Sequence, residues 1–223
     1  VHDQSNDQVS GGVPTPDAWT AVPVAKVAAR VRVIARGTRP PVIVAVDGRS
    51  GAGKSTVADQ LALMLDAAPV IHTDDVAWHH SFFEWWPLMR EHVLGPLRVG
   101  REVAWRPPGW VARERAGSIV VPASPIVLVE GVSASRRELA DLLDAAIWVD
   151  GDIAEQERRG VARDGGDDAA QRFWDEWQAA ERPLLDADEP WDRADLLVLG
   201  TPAVPAPSGS WWAHWGPGGR LGS

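Results

Sequence analysis

Residues 48–56 read Gly48-Arg49-Ser50-Gly51-Ala52-Gly53-Lys54-Ser55-Thr56, and the fold is decided by how this stretch is read. It contains the phosphate-binding loop pattern G-x-x-x-x-G-K-[ST]. Before it, Pro41 to Val46 form a short β-branched apolar run that suits a buried parallel strand. After it, Val57, Ala58, Leu61 and Leu65 recur at helical spacing. The glycines therefore sit at a strand-to-helix junction. Small residues there let backbone N–H groups close around phosphate oxygens, and the helix N-terminus adds a favourable dipole. Gly48, Ser50, Gly51, Ala52, Gly53 and Thr56 are expected to form that cradle. Lys54 is expected to reach the β- and γ-phosphates, and the Ser55 hydroxyl to ligate Mg²⁺. Lys26 and Lys54 are the only lysines in the chain, so this one stands where a compact ammonium is wanted. The competing reading, an ordinary Gly-rich turn before a helix, does not explain strand, loop and helix in that order.

Composition narrows the function classes. The chain has 223 residues, 45% of them hydrophobic, which suits one α/β domain with tails. A formal net charge of −9 argues against nucleic acid or an anionic membrane surface as the main partner. It does not exclude a nucleotide, because a phosphate loop concentrates positive field locally. There is no cysteine, which excludes disulfides and thiolate zinc sites. No apolar run reaches the ~18 residues of a membrane span and no signal segment opens the chain, so a soluble cytoplasmic protein is expected. Self-association is left open.

Elements alternate along the chain. Residues 1–20 read as a flexible lead-in. Helical spacing covers Val22 to Arg36, and short strands are expected at 41–46, 69–72, 126–129, 146–149 and 194–199. Helices are expected at 54–66, 82–94, 135–144 (capped by Ser133), 153–163 and 168–181, the last two charged and exposed. The domain is set at 21–200, with a lid at about 152–166. Residues 201–223 are expected to be a Pro/Gly/Trp-rich tail without a packed element. Alternation of strands and helices predicts an α/β fold, a parallel sheet with helices on both faces and ligands beyond the carboxyl ends of its strands.

Candidate chemistry falls at such ends. Asp74 and Asp75 follow the second strand. There a carboxylate can accept a substrate hydroxyl proton or hold Mg²⁺ through water, unless it merely caps the next helix. Asp74 is the better candidate for base, Asp75 for cap. Glu130 ends Ile126–Val129 and is placed to hold metal-bound water, an Arg-paired structural role being the alternative. Arg159 and Arg163 are four apart on one predicted helix face and could close over a transferring phosphate; a solvated helix is the bland reading. His79-His80 read as pocket wall rather than metal ligands. Trp78, Trp85, Trp86, Trp105 and Trp110 crowd the region where an acceptor would sit, which suits an apolar or planar molecule.

These residues, in this order, resemble the uridine kinase-like branch of the P-loop kinases over roughly residues 40–200. The resemblance rests on the 48–56 loop, Asp74, Val127-Leu128-Val129-Glu130-Gly131, the Arg158-Arg159 to Arg163-Asp164 helix and the 194–199 strand. It implies a five-stranded parallel sheet with a small Arg-bearing lid, use of ATP and Mg²⁺, and phosphoryl transfer to the hydroxyl of a nucleoside-like small molecule. By it, Asp74 matches the catalytic base, Glu130 the metal-side acid, and Arg159 and Arg163 the lid arginines. Asp74, Trp78, Trp105, Arg113 and Glu130 would face the acceptor, with Arg113 or Arg115 replacing the family's following Arg. The chain departs from the family twice. Ala77 stands where a Tyr follows the catalytic Asp, and Pro108-Gly109 where a Tyr-Asp pair grips ribose. A non-nucleoside alcohol is therefore the alternative acceptor. A regulatory ATPase is the rival from another class. A guanine-reading switch is excluded, since Asn-Lys-x-Asp needs a lysine after Lys54.

Overall fold

Strand β2 (Val42–Gly48) is buried along its whole length, and the fold is organised around it. The computed structural model describes residues 19–222; the lead-in expected at 1–20 therefore lies outside them up to residue 18. In chain order the remaining elements begin with β1 (Thr20–Pro23), α1 (Val24–Gly37), α2 (Lys54–Met64), β3 (Val70–His72) and α3 (Thr73–Ala77). A helical run follows, with α4 (Trp86–Met89), a π-turn (Arg90–Leu94) and α5 (Gly95–Arg98). Then come β4 (Val103–Trp105), α6 (Pro108–Ala112), β5 (Ile119–Val121), β6 (Ile126–Glu130) and β7 (Ala145–Asp150). The chain closes with α7 (Ile153–Arg163), α8 (Asp168–Asp188), β8 (Leu196–Leu199) and β9 (Ser210–Trp215).

The main sheet has seven strands in the order β1-β9-β8-β7-β2-β6-β3. The five strands β8, β7, β2, β6 and β3 run parallel. Beyond β8 the sheet gains two antiparallel strands, β9 and then β1. This corrects the expected five-stranded sheet. The supposed tail is also corrected between residues 210 and 215: Pro, Gly and Ser set its composition, but Ser210–Trp215 alternates inward and outward, with Trp211 and Ala213 buried. Further on, Leu221 is buried, its carbonyl accepts from Arg30 Nη1 at 2.8 Å, and the Arg220 amide donates to the Asp195 carboxylate.

Alternation in β2 divides the core. Val42, Val44 and Val46 face α1 and α2, packing with Val27, Val31 and Leu61. Ile43 and Ala45 face the other side with Ile71, Trp85, Met89 and Trp110. A strand buried on both faces reads as a continuous apolar run, which is why 41–46 carried its own signal. Helix expectations shift at several ends: Val22 and Pro23 pair in β1 rather than opening α1, and α8 continues past residue 181 to Asp188. The 82–94 run starts at Trp86 and continues through Gly95-Pro96 to Arg98, since Pro at the start of a turn costs no hydrogen bond. The 135–144 helix is a 3-10 segment, Arg137–Leu142, with no side-chain cap from Ser133. Among the described residues, no helix is long and apolar enough to cross a membrane.

Candidate active site

Parallel register brings three strand ends together. Val46 lies beside Glu130, and Glu130 beside His72. The loop leaving β2, the acid ending β6 and the α3 carboxylates after β3 therefore meet at one edge of the sheet. A cavity of about 840 Å³ opens there, bounded at this end by Ser50, Lys54, Ser55, Asp74, Glu130 and Arg163.

The loop turns on Gly48, Gly51 and Gly53, all at positive φ. At Gly51 (φ +75°) a Cβ would also lie 2.2 Å from the Gln156 carbonyl, so α7 packs directly on the loop. Gly53 caps α2 in the left-handed region with no side-chain bond, leaving the first-turn amides of α2 without a capping side chain. Ala52 is buried under the loop, and Thr56 faces a smaller cavity on its other side. Lys54 is itself buried, and its Nζ donates to the Arg49 carbonyl at 2.9 Å. Its charge helps to hold Glu130 down and pulls against the upward shift of Asp74.

Glu130 is bonded on both oxygens: Ser55 Oγ donates to Oε1 at 3.2 Å, and His72 Nδ1 lies 2.7 Å from Oε2. Burial works to raise its carboxyl, but the His72 contact and the Lys54 charge outweigh it, and the net direction is down. Asp74 behaves oppositely. Asp74 is open to solvent within the cavity, yet desolvation by the surrounding walls pushes its carboxyl above the ordinary value and Glu130 adds to this, while Lys54 and Arg163 pull it back. Two carboxylates driven apart in this way suit different tasks, one staying ionised beside a cation and one exchanging a proton. Asp75 is engaged elsewhere: Arg115 Nη2 donates to it at 2.9 Å, and that guanidinium sits over Trp110 (3.6 Å) and Trp78 (5.1 Å). Gly131 lets this edge close, because a Cβ there would lie 1.8 Å from Thr73 Oγ1 at the start of α3.

The two α7 arginines open onto different spaces. Arg163 lines the main cavity with Asp164, which takes both its Nε and Nη2 at 2.9 and 3.0 Å. Arg159 lines the smaller cavity of about 290 Å³. It donates to Glu155 at 2.7 Å and to the Gly200 carbonyl at 3.1 Å. Arg158 and Arg159 together draw Glu155 down to about 2. Arg158 donates through Nε and Nη2 to the two oxygens of Glu155, both at 2.7 Å. The wall of the smaller cavity includes Gly53, Gln60, Pro205 and Trp212, so the C-terminal segment borders it.

The aromatic lining differs from expectation. Of the tryptophans expected there, Trp78 lines the cavity. Trp105 does not; it ends β4 in the two-stranded β4–β5 sheet and stacks on His92 at 4.8 Å. Trp85 and Trp110 are buried in the core and Trp86 lies under Arg136. Arg113 is exposed and away from the cavity wall, and Arg115 holds the position over Trp78. The aromatic wall comes instead from Phe82 and from Phe173, Trp174 and Trp177 on α8, a helix expected to be merely exposed. The spacing Phe173, Trp174, Trp177 on one face was the available signal. Pro108-Gly109 serves packing: a Cβ at Gly109 would lie 2.0 Å from the Trp78 carbonyl.

Three further residues were missed. His72 meets Glu130 because of strand register, which no local pattern reveals. Asp47, fully buried at the end of β2, accepts from the amides of Gly48, Ser133 and Ser135 and from Ser135 Oγ at 2.7–2.8 Å. It thus ties the root of the phosphate loop to the turn after Glu130. Glu181 on α8 is fully buried; one oxygen accepts the Ser50 amide at 2.9 Å and the other the Gln178 amide at 2.6 Å.

No family model matches this chain, and no curated protein matches its sequence. Solved structures do. A possible uridine kinase from Bacillus stearothermophilus is similar at TM-score 0.50 and 19% identity, covering 76% of this chain and 97% of that one. A provisionally assigned fructose transport system kinase from Silicibacter sp. TM1040 is similar at TM-score 0.51 and 21% identity, covering 73% and 94%. At these identities the likeness is one of fold.

Proposed function

We propose that the protein is an ATP- and Mg²⁺-dependent kinase of a small-molecule alcohol. The observation that carries this reading is convergence: Lys54, Ser55, Asp74, Glu130 and Arg163 border one cavity at the carboxyl ends of β2, β3 and β6. The donor set fits Mg²⁺, a hard cation that takes oxygen ligands, keeps several waters and shares a nucleotide's phosphates. Ser55 and Glu130 would hold it, with Asp74 as a further oxygen donor. Among the described residues no group of three or more His, Asp or Glu could hold a metal alone, and on this reading the nucleotide's phosphates would complete its oxygen ligands. Bound there, the ion supplies charge neutralisation along the phosphates.

The loop amides and Lys54 bind the phosphate chain and orient its terminal phosphorus. Asp74 accepts the proton of the acceptor hydroxyl, whose oxygen attacks the γ-phosphorus. The bond to the β–γ bridging oxygen breaks and ADP leaves. Arg163 neutralises charge on the transferring phosphoryl group, and Arg159 acts on the other side of the loop, beside the smaller cavity. That cavity suits the nucleotide base, with Pro205 and Trp212 as part of its wall. The resemblance to uridine kinase-like proteins makes a nucleoside the default acceptor. The missing Tyr-Asp grip at Pro108-Gly109 favours another alcohol.

ADP formation measured with and without candidate alcohols tests the reading. Alcohol-stimulated ADP release with a phosphomonoester product is expected. Turnover that no alcohol stimulates would make the protein an ATPase, and ATP binding without turnover would make it a binding module.

A further inference from the structure

The acceptor end of the cavity has an unusual inventory of groups. Phe82, Phe173, Trp174 and Trp177 face it from two separate segments, with Trp78 at its edge. The rings are locked to one another: Phe82 and Trp177 lie 5.0 Å apart, Phe83 and Trp177 4.9 Å, Phe82 and Phe173 6.1 Å. Buried Arg136 donates to the Phe83 carbonyl at 2.6 Å, which anchors this wall to the turn after β6. Yet Phe173 is 42% exposed, so an aromatic face is left open inside a cavity large enough for a drug-sized body.

The polar groups at this end are His79, His80 and Ser81. The acids lining the cavity are Asp74 and Glu130, at the phosphate end, and Asp164, forked onto Arg163. Its cations are Lys54, within the phosphate loop, and Arg163 itself. Arg115 is held by Asp75 behind Trp78. An anionic acceptor would therefore meet no uncommitted cation in this lining. A vicinal diol would find no carboxylate at this end, only His79, His80 and Ser81 beside the rings, and so lacks the charged acceptor that would hold both its hydroxyls.

We infer that the acceptor is a neutral alcohol with an aromatic body and an isolated hydroxyl: its ring lies on the Phe82–Phe173–Trp177 wall and its hydroxyl reaches Asp74. This rests on the kinase reading for the role of Asp74, but the wall's preference stands on its own. Nucleosides, sugars, sugar acids and nucleotide monophosphates are all poorer matches.

The experiment has two arms. In the first, phosphomonoester formation from ATP and Mg²⁺ is measured with 2-phenylethanol, indole-3-ethanol, uridine and fructose. The aromatic alcohols should exceed uridine and fructose by tenfold or more in kcat/KM. Phe173→Ala should lower their kcat/KM about tenfold through KM, with the KM for ATP unchanged. In the second, 2-phenylethanol binding is followed by equilibrium dialysis on the wild type, Phe173→Ala and Lys54→Ala, each checked for folding by circular dichroism. Binding should weaken in Phe173→Ala and persist in Lys54→Ala. Uridine or fructose turning over as well as the aromatic alcohols would overturn the inference and leave the kinase reading intact. Binding that depends on Phe173, with no product from any acceptor, would uphold the wall as a site for an aromatic alcohol and count against the kinase reading. Absence of 2-phenylethanol binding would overturn the inference outright.

Discussion

The phosphate end of the cavity comes from one run, residues 48–56, together with the acids at two neighbouring strand ends. The opposite wall is gathered from Trp78, Phe82 and three rings of α8, far apart in the chain. On the proposed reading the first end would bind by backbone amides and fixed charges, whose geometry is dictated by a short loop between a strand and a helix. The second would bind by side-chain surface, which any of several helices could supply. Phosphate binding on this reading therefore rests mainly on contiguous sequence, whereas the acids beside it and the choice of acceptor depend on how distant segments pack.

If that division is right, substitutions at the phosphate end should act on every acceptor alike. Lys54→Ala should reduce phosphoryl transfer below detection while the melting temperature stays near wild type, because the loop backbone still forms but the terminal phosphate loses its ammonium. Unchanged activity would break the comparison at its root.

Asp74→Asn should lower kcat about 10²–10⁴-fold with little change in ATP affinity, since it removes a proton acceptor and keeps the shape. Only the ionised carboxylate can accept the proton, so wild-type kcat/KM falls as pH drops through the Asp74 pKa. Partial desolvation by the cavity walls and the neighbouring Glu130 charge raise that pKa, so the acid limb should lie above the ordinary carboxylate range. Titration of the Asn variant should lack this limb. A larger loss in Asp75→Asn would reassign the pair.

Glu181→Ala sharpens the boundary between the two ends, because α8 carries the ring wall and also holds the loop. Leaving the buried Ser50 amide unpaired costs about 1–3 kcal/mol. The KM for ATP should rise about five- to twentyfold with kcat nearly constant, and Glu181→Gln, which still offers an oxygen to Ser50, should restore most of it. A change in kcat that Gln does not rescue would make Glu181 part of the general packing instead.

Trp212→Ala should have the smallest effect, a rise of about threefold in the KM for ATP with no effect on the acceptor, as its ring borders the smaller cavity beside Arg159. An effect confined to the acceptor would reverse the assignment of the two cavities.

The same division governs what could be read from the chain alone. The strand–loop–helix at 41–65 was legible because its signals are local: an apolar run, glycines at fixed offsets and helical spacing. Glu130 and Asp74 were legible as acids closing strand segments. Their partner His72 was not, since His72 and Glu130 meet only through strand pairing. Asp47 and Glu181 were invisible for the same reason, each acting on groups distant in sequence. On α8, many charges masked Phe173, Trp174 and Trp177, whose shared face is evident only beside Phe82. In Ser210–Trp215 the surrounding Pro and Gly masked a period-two pattern, and what makes it a strand is the unpaired edge of β8.

The central claim, phosphoryl transfer from nucleotide to alcohol in this cavity, is tested most directly by following γ-³²P-labelled ATP with Mg²⁺ and 2-phenylethanol. The account predicts label in a phosphomonoester of the alcohol with wild-type protein, and none with Lys54→Ala. Label released only as inorganic phosphate, at a rate the alcohol does not alter, would contradict it.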